Sequence, residues 1–206
     1  MKKIPTLFRR EFENHRVVKV LPGYTSEICQ QALYSGWPTV KWDGSCCAVI
    51  HGMFYKRYDA KKGKPIPKNA IKCQKEADPV TGHLPCWVPV DREDPADKWF
   101  VAAWDAVCNR KDEERLPDGT YEAIGKHFQG NPYHLDNDIL VPHGVAVFDD
   151  FVLPDSPNSD WDVLEYIREY LASHKHEGIV FWMNDEPICK IKRTDFGLPW
   201  PIKEGE

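Results

Sequence analysis

Lys41 is the first residue whose surroundings suggest chemistry, because it stands in the string KWDGSCC ahead of the turn-forming pair Asp43 and Gly44. A lysine amine is a nucleophile only after it has lost its proton, which burial or neighbouring cations favour. Lys41 is therefore a candidate covalent nucleophile presented by that turn. The alternative is an ordinary surface lysine before a turn, and so short a pattern does not decide between the two.

A second candidate is Glu122 in the segment DGTYEAIG. The alternation of a strand predicts Tyr121 and Ala123 on one face and Glu122 on the other. A carboxylate in that position can accept hydrogen bonds from ribose hydroxyls. The alternative is a solvated strand residue.

A third group comprises Glu177 in HEGIVFW, and Lys190 and Lys192 in CKIKR. The two lysines share one face of a predicted strand, with Ile191 on the opposite face. Side-by-side ammonium groups repel each other unless an anion lies between them, and phosphate is the natural partner. Glu177 is then a candidate oxygen ligand for Mg²⁺, which binds one or two carboxylates together with phosphate oxygens. The alternative is an exposed edge strand protected by its lysines.

Residues 56–75 carry a strong local positive charge, although the chain of 206 residues has a net charge of −5. The segment holds eight basic residues and one acid, Asp59. This asymmetry favours a track for a polyanion, and a solvated lysine loop is the equally weighted alternative. The basic residues are Lys56, Arg57, Lys61, Lys62, Lys64, Lys68, Lys72 and Lys75.

Composition excludes several classes of protein. The negative net charge excludes a globally basic nucleic-acid coat protein, and no apolar run approaches the roughly 20 residues of a membrane helix. Seven cysteines without a Cys-x-x-Cys pair, and a start without an apolar signal core, predict an intracellular and most simply cytoplasmic protein. The neighbours Cys46 and Cys47 are expected to pack in a strand rather than bind metal. Cys73, His83 and Cys86 lack a standard zinc spacing.

The sequence patterns of the helices and strands that must position these residues predict an α+β fold with mainly antiparallel strand pairing. No clear pattern covers residues 1–24, and residues 60–98 predict a long functional loop. Strands are predicted from Trp37, at 46–50 and 53–59 around a His51-Gly52 turn, and at 119–125, 144–151, 178–183 and 188–193. Helices are predicted from Thr25-Ser26 to Gly36 with Ile28, Cys29, Ala32 and Leu33 inward, at 99–109, and from Asp160 with Trp161, Leu164, Ile167 and Leu171 inward.

The order of these motifs resembles the covalent nucleotidyltransferases, which include ATP-dependent RNA ligases, DNA ligases and mRNA capping enzymes. Within that superfamily the chain is most similar to the vertebrate-type 5′–3′ RNA ligase family, over about residues 41–201. The strings that carry this resemblance are KWDGSCC (41–47), GHLPCWVPV (82–90), EAIGKHFQGNPY (122–133), VPHG (141–144), EGIV (177–180) and GLPWP (197–201).

The resemblance implies a role for each matching residue. Lys41 would carry AMP as a phosphoramidate, and Glu122 would hold the ribose. Phe148 would stack on adenine, and Glu177 would serve the metal ion directly or through water, with Asp43 as a weaker metal candidate. The remaining implied nucleotide contacts are made by Val40, Arg57, Lys190 and Lys192. Lys190 and Lys192 would bind the α-phosphate and take part in catalysis. The resemblance also gives Arg57 an alternative role on an RNA phosphate in place of the ribose. To these we add, from the charge of the segment, RNA contacts by Lys61, Lys62 and Lys64.

The resemblance further implies a single ATP-grasp-like adenylation domain over residues 1–206, with 1–24 as an N-terminal extension and no C-terminal OB domain. ATP would be the substrate, Mg²⁺ or Mn²⁺ the cofactor, and an RNA with 5′-phosphate and 3′-hydroxyl ends the partner. We expect a monomer that does not associate with membranes. The alternatives are a DNA nick-sealing ligase, a transferase to another acceptor, and an inactive nucleotide- or RNA-binding module.

Overall fold

The computed structural model describes residues 1–14, 16–79, 81–109, 116–154 and 159–202. Within these residues no helix is long and apolar enough to cross a membrane. Their regular elements are, in chain order, β1 (Phe8–Glu13), β2 (Arg16–Tyr24), α1 (Glu27–Ser35), β3 (Trp37–Lys41), β4 (Ser45–Ile50), β5 (Met53–Ala60), β6 (Ile71–Lys72), β7 (Leu84–Pro89), α2 (Lys98–Cys108), β8 (Gly119–Ile124), β9 (Ile139–Pro142), α3 (Asp160–Ser173), β10 (Gly178–Met183) and β11 (Glu186–Lys192), with short 3₁₀ helices at Pro95–Asp97 and Arg193–Phe196.

The chain divides into two compact units. The first unit contains Met1–Lys3 and Asp43–His143, and the second contains Ile4–Trp42 and Gly144–Glu206. Pairing between the described strands is antiparallel throughout. The predicted α+β class with antiparallel sheets is therefore confirmed, whereas the ATP-grasp-like detail and the single-domain organisation stay predictions.

The first unit is built on a six-stranded sheet in the order β6-β7-β5-β4-β8-β9. One face of β4 and β8 is covered by α2, and a cluster that includes Cys47, Tyr121 and Ala123 fills the space beneath it. The β4–β5 hairpin turns at His51 and Gly52, whose φ angles of 52° and 73° suit a tight two-residue turn. That hairpin and α2 confirm the sequence prediction.

The second unit combines the three-stranded sheet β11-β10-β3 with the β1-β2 ribbon. Helices α1 and α3 pack on a core that contains Ile179, Phe181 and Ile191 on one face of the sheet. The opposite face carries Lys41, Lys190 and Lys192 beside Thr39 and Val180, because successive residues of a strand point to opposite sides. The region before Tyr24, in which no clear sequence pattern was found, thus supplies two strands.

Several predicted elements were wrong. The 60–98 segment is not a continuous loop, since β7 lies between β5 and β6 in the sheet. Residues 144–151 form turns with one isolated bridge rather than a strand, and β9 lies just before them instead. Two side chains assigned to helix cores are exposed, Ile28 at 49% and Trp161 at 51%. In α1 the buried face is formed by Cys29, Ala32 and Leu33 alone.

Candidate active site

Lys41 ends strand β3 and contacts Glu177, which lies just before β10. The two strands pair antiparallel with Lys41 opposite Gly178. The Lys41 Nζ forms an ion pair with Glu177 Oε2, and the glutamate is only 6% exposed. A buried carboxylate needs such a partner, because an unpaired charge away from water is costly. The register between β3 and β10 therefore brings the predicted nucleophile and the predicted metal ligand into direct contact.

Lys190 and Lys192 approach the same place from β11, as their shared strand face predicts. Lys192 lies opposite Gly178, and its Nζ is 3.4 Å from Glu177 Oε1. Lys190 lies opposite Val180. Burial, and after it the charges of Lys41 and Lys192, lowers the pKa of Lys190 to about 8. The group is a concentrated positive charge that one carboxylate only partly compensates, which suits an incoming phosphate.

Gly178 permits this approach between strands. A Cβ at this position would lie 2.1 Å from the backbone carbonyl oxygen of Ile191, well inside van der Waals contact. Glycine is therefore required where β10 and β11 meet beside Glu177. The adjacent pair Glu177-Gly178 thus combines a charged group with the residue that allows β10 to pack against β11.

Two charged residues that sequence analysis missed support this group of lysines. Asp195, 5% exposed, accepts the backbone N–H of Lys192 at 2.9 Å and pairs with Arg10 at 3.0 Å. Arg193 donates to the backbone oxygens of Leu171 and of His174, the latter at 2.8 Å. Charged side chains tied to backbone in this way fix the ends of β11 and of the loop before Glu177. Their only sequence signal was their position directly after the Lys-x-Lys strand.

Phe148 and His176 also belong to the second unit. Phe148 is 8% exposed, and its ring meets the rings of Tyr170, His174 and His176 edge-on. Stacking on adenine would use the small exposed part of that ring, and this role stays a prediction. Among the described residues, His176 Nδ1 is a buried polar atom without a hydrogen-bond partner. Burial lowers the pKa of His176, which favours its neutral ring. Val40 donates its backbone N–H to Ala146 at 2.9 Å and packs against the core.

Glu177 fits the expected Mg²⁺ in its chemistry. Each of its oxygens already contacts one ammonium group, of Lys41 and Lys192. An ionised carboxylate has about four lone-pair sites, so a cation or one of its waters can still bind. The weaker candidate, Asp43, belongs to the first unit, where its backbone N–H donates to the Tyr133 hydroxyl at 2.7 Å.

In the first unit, Glu122 lies on the sheet face opposite the core, as its strand alternation predicts. Its Oε1 accepts the backbone N–H of Gly44 at 3.2 Å, and its Oε2 is 2.9 Å from His143 Nε2. A Cβ on Gly44 would meet the backbone oxygen of Ala123 at 2.3 Å, so only glycine fits beside this carboxylate. The sequence marked His143 only as part of the string VPHG, and its contact with Glu122 follows from the pairing of β8 with β9.

Arg57 and the exposed lysines of the 56–75 segment lie in the first unit as well. The Arg57 guanidinium pairs with Asp59 Oδ1 at 2.7 Å and donates to the Met1 carbonyl oxygen at 2.9 Å. Lys56 is paired with the buried Asp97. The exposed lysines that leave a net positive surface are Lys61, Lys62, Lys64, Lys68, Lys72 and Lys75.

Comparison of the chain's sequence with known proteins shows which family it belongs to. The family model described as RNA ligase 1 matches residues 63–206, more than half of the chain. The chain belongs to the RNA ligase 1 family. This confirms the family resemblance of the motif series. Among curated members, RNA ligase 1 of Pongo abelii is 28% identical over 98% of this chain and 83% of its own length. RNA ligase 1 of Rattus norvegicus is 25% identical over the same shares, and that of Danio rerio is 28% identical over 60% of this chain and 43% of its own.

The family match includes Glu122, Glu177, Lys190 and Lys192, whereas Lys41 lies before its first residue. The contact between Lys41 and Glu177 therefore ties a residue outside the matched range to residues within it. The sequences of the RNA ligase 1 proteins of Pongo abelii and Rattus norvegicus align over nearly the whole chain.

Proposed function

We propose that the protein is an ATP-dependent RNA ligase that works through a covalent lysyl-AMP. In the first step the Lys41 amine attacks the α-phosphorus of ATP, a P–N bond forms and pyrophosphate leaves. In the second, a 5′-phosphate oxygen of RNA attacks the same phosphorus and the P–N bond breaks. In the third, an RNA 3′-hydroxyl attacks the activated 5′-phosphate and AMP leaves. The observation that carries the proposal is the contact of Lys41 with Glu177 beside Lys190 and Lys192.

The residues of the second unit suit the first step. The attacking amine must be neutral, and the Glu177 carboxylate already touches Lys41 Nζ, where it can hold the proton that the ammonium gives up. Lys190 and Lys192 are placed to bind oxygens of the α-phosphate as negative charge develops on them. Phosphoryl transfer depends mainly on such positioning and charge neutralisation.

A divalent cation, Mg²⁺ or Mn²⁺, fits the free lone pairs of Glu177 and would neutralise charge on the phosphates. In the first unit Glu122 has the carboxylate expected for the ribose hydroxyls, and Gly44 and His143 orient it. The exposed lysines 61, 62 and 64 are the proposed contacts to the RNA backbone, since lysine binds phosphate without reading the base sequence.

Intact-mass analysis with ATP and Mg²⁺ tests the nucleophile. The wild-type chain should gain one AMP, and Lys41→Ala should gain none. Lys41→Arg should also fail, because a guanidinium remains protonated and cannot attack phosphorus. Lys175→Ala is the matched control, since Lys175 is exposed and lies two residues before Glu177; it should label normally. An AMP adduct on either Lys41 variant would contradict the assignment.

The acceptor is tested by adding nucleic acid to the AMP-labelled protein. A 5′-phosphorylated RNA should remove the label and yield joined RNA, whereas the equivalent DNA should remain unjoined. Labelling followed by transfer to DNA alone would identify a DNA ligase. Labelling with no transfer to either polymer would contradict the ligase function while leaving self-adenylation in place.

A further inference from the structure

Three side chains of the first unit converge on one face of its sheet. Cys46 on β4 lies directly opposite Glu122 on β8, and Glu122 lies opposite Val141 on β9. His143 follows two residues later and therefore returns to the same face. The three ligand atoms, a sulfur, a carboxylate oxygen and a ring nitrogen, all lie within 4.8 Å of one another. The site is half-buried, so an ion can reach it and still be sheltered from water.

Side-chain rotation can bring these three ligand atoms to the separations of a tetrahedral transition-metal site. With bonds of about 2.0–2.3 Å, neighbouring ligand atoms of a tetrahedral zinc lie about 3.3–3.8 Å apart. The His143 Nε2 and Glu122 Oε2 atoms are 2.9 Å apart and would need to open only slightly. Three protein ligands with one open position are the usual coordination of a zinc ion that exchanges or binds a further group.

The surroundings also orient two of the ligands. His143 Nδ1 lies 3.1 Å from Thr120 Oγ1, so that its ring can present Nε2 to an ion. The other oxygen of Glu122 is held by the Gly44 N–H at 3.2 Å. Ligating histidines and carboxylates normally have such supporting hydrogen bonds, and removing one weakens metal affinity about 10–100-fold. A thiolate and a carboxylate together would balance the two charges of the ion.

We infer that Cys46, Glu122 and His143 form a binding site for Zn²⁺ or a similar transition metal, and that the bound ion withdraws Glu122 from the nucleotide. Sulfur and imidazole ligands favour zinc or cobalt over magnesium, so the site is chemically different from the oxygen site expected at Glu177. Zinc therefore acts as an inhibitor of self-adenylation that competes with ATP. This second part rests on the proposed function of Glu122, whereas the binding of the ion does not.

Titration of the nucleotide-free protein with Co²⁺ tests the site without any assay of activity. Wild-type protein should develop the thiolate-to-cobalt charge-transfer band, and added Zn²⁺ should remove it. The band should be absent in Cys46→Ser and in His143→Gln. It should persist in Cys108→Ser, the matched control that removes an exposed thiol. Thr120→Val keeps all three ligands and should weaken cobalt affinity about 10–100-fold, which tests the site even if a ligand variant fails to fold.

The absence of the band in wild-type protein, or its persistence in folded Cys46→Ser, would overturn the metal site. The competition is measured separately, by repeating the cobalt titration with adenosine, which has the ribose but no phosphates to chelate the ion. Adenosine should weaken cobalt binding, and Zn²⁺ should raise the ATP concentration needed for half-maximal labelling of Lys41. Cobalt binding that adenosine leaves unchanged would overturn the competition alone. A wild-type protein that gains no AMP even without added Zn²⁺ or Co²⁺ would instead count against the proposed function.

Discussion

Replacing Lys190 with methionine should stabilise the protein while it damages the reaction. Lys190 is held in place by backbone bonds that the substitution keeps: its N–H donates to Pro5 at 3.1 Å, and its carbonyl oxygen accepts from Leu7 at 2.8 Å. Methionine is a similarly unbranched and flexible side chain, one heavy atom shorter, and it removes the charge. In the free protein that charge is unfavourable, because Lys190 is half-buried beside Lys41 and Lys192.

The size of the effect follows from the pKa. A fall of the Lys190 pKa from 10.5 to about 8 means that the folded state disfavours the charged form. At 1.36 kcal/mol for each pH unit, the ammonium lowers the free energy of unfolding by about 3 kcal/mol at pH 7. The unfolded chain binds more protons between pH 8 and pH 10.5, so wild-type stability rises across that window. The penalty should fall to about 2 kcal/mol at pH 9 and nearly vanish above pH 10.5.

Thermal unfolding at several pH values measures this. For a chain of this size, about 3 kcal/mol corresponds to a rise in Tm of about 6–12 °C for Lys190→Met at pH 7. The advantage should shrink steadily from pH 8 to pH 10.5. Lys175→Met, which removes an exposed lysine, is the control and should change stability by less than about 0.5 kcal/mol. A Lys190→Met protein that is no more stable than wild type at pH 7 would refute the reasoning.

Three other substitutions test separate parts of the structure. Changing Lys61, Lys62 and Lys64 together to glutamine should weaken RNA joining but not AMP labelling, and the log–log salt dependence of RNA binding should become shallower by about 0.7–0.9 for each RNA phosphate that the variant no longer binds; an unchanged slope would place the RNA elsewhere. Glu177→Gln removes the carboxylate shared by two ammonium groups and should slow single-turnover self-adenylation about 10²–10³-fold, so that a wild-type rate would contradict its role. Asp97→Ala leaves the lysine on β5 without its buried partner and should lower the free energy of unfolding by about 3–5 kcal/mol in urea denaturation, and a decrease below about 1 kcal/mol would show that this pair contributes little.

The parts of the fold that follow local rules were predictable from sequence. Strand alternation placed Glu122 and the two lysines of β11 on polar faces, with Tyr121 and Ile191 in the cores. The His51-Gly52 hairpin was equally clear, since its turn is closed by adjacent residues. These features depend on spacing of two residues or on a single turn, and sequence carries that information directly.

The errors arose where distant strands decide the outcome. Strand β7 contains Pro85 and Pro89, which argue against a strand inside a sheet, yet it pairs with both β5 and β6. The segment after Gly144 is apolar enough for a strand but forms turns, and Gly144 itself has φ of 80°. The Cys46, Glu122 and His143 group was not recognised for the same reason, because its members come from β4, β8 and the residue after β9, which only the sheet order brings together.

The register of the three-stranded sheet explains why the motifs of the second unit need their spacing. Gly178 lies opposite Lys41 on one side and Lys192 on the other, so that both lysines flank the start of β10 at one level. A slip of one residue in either pairing would turn one lysine toward the core and bring a core side chain to the polar face. The absence of a Cβ at Gly178 lets β11 approach closely enough for Lys192 to reach Glu177. The sequence motif therefore encodes a strand register as much as a set of reactive groups.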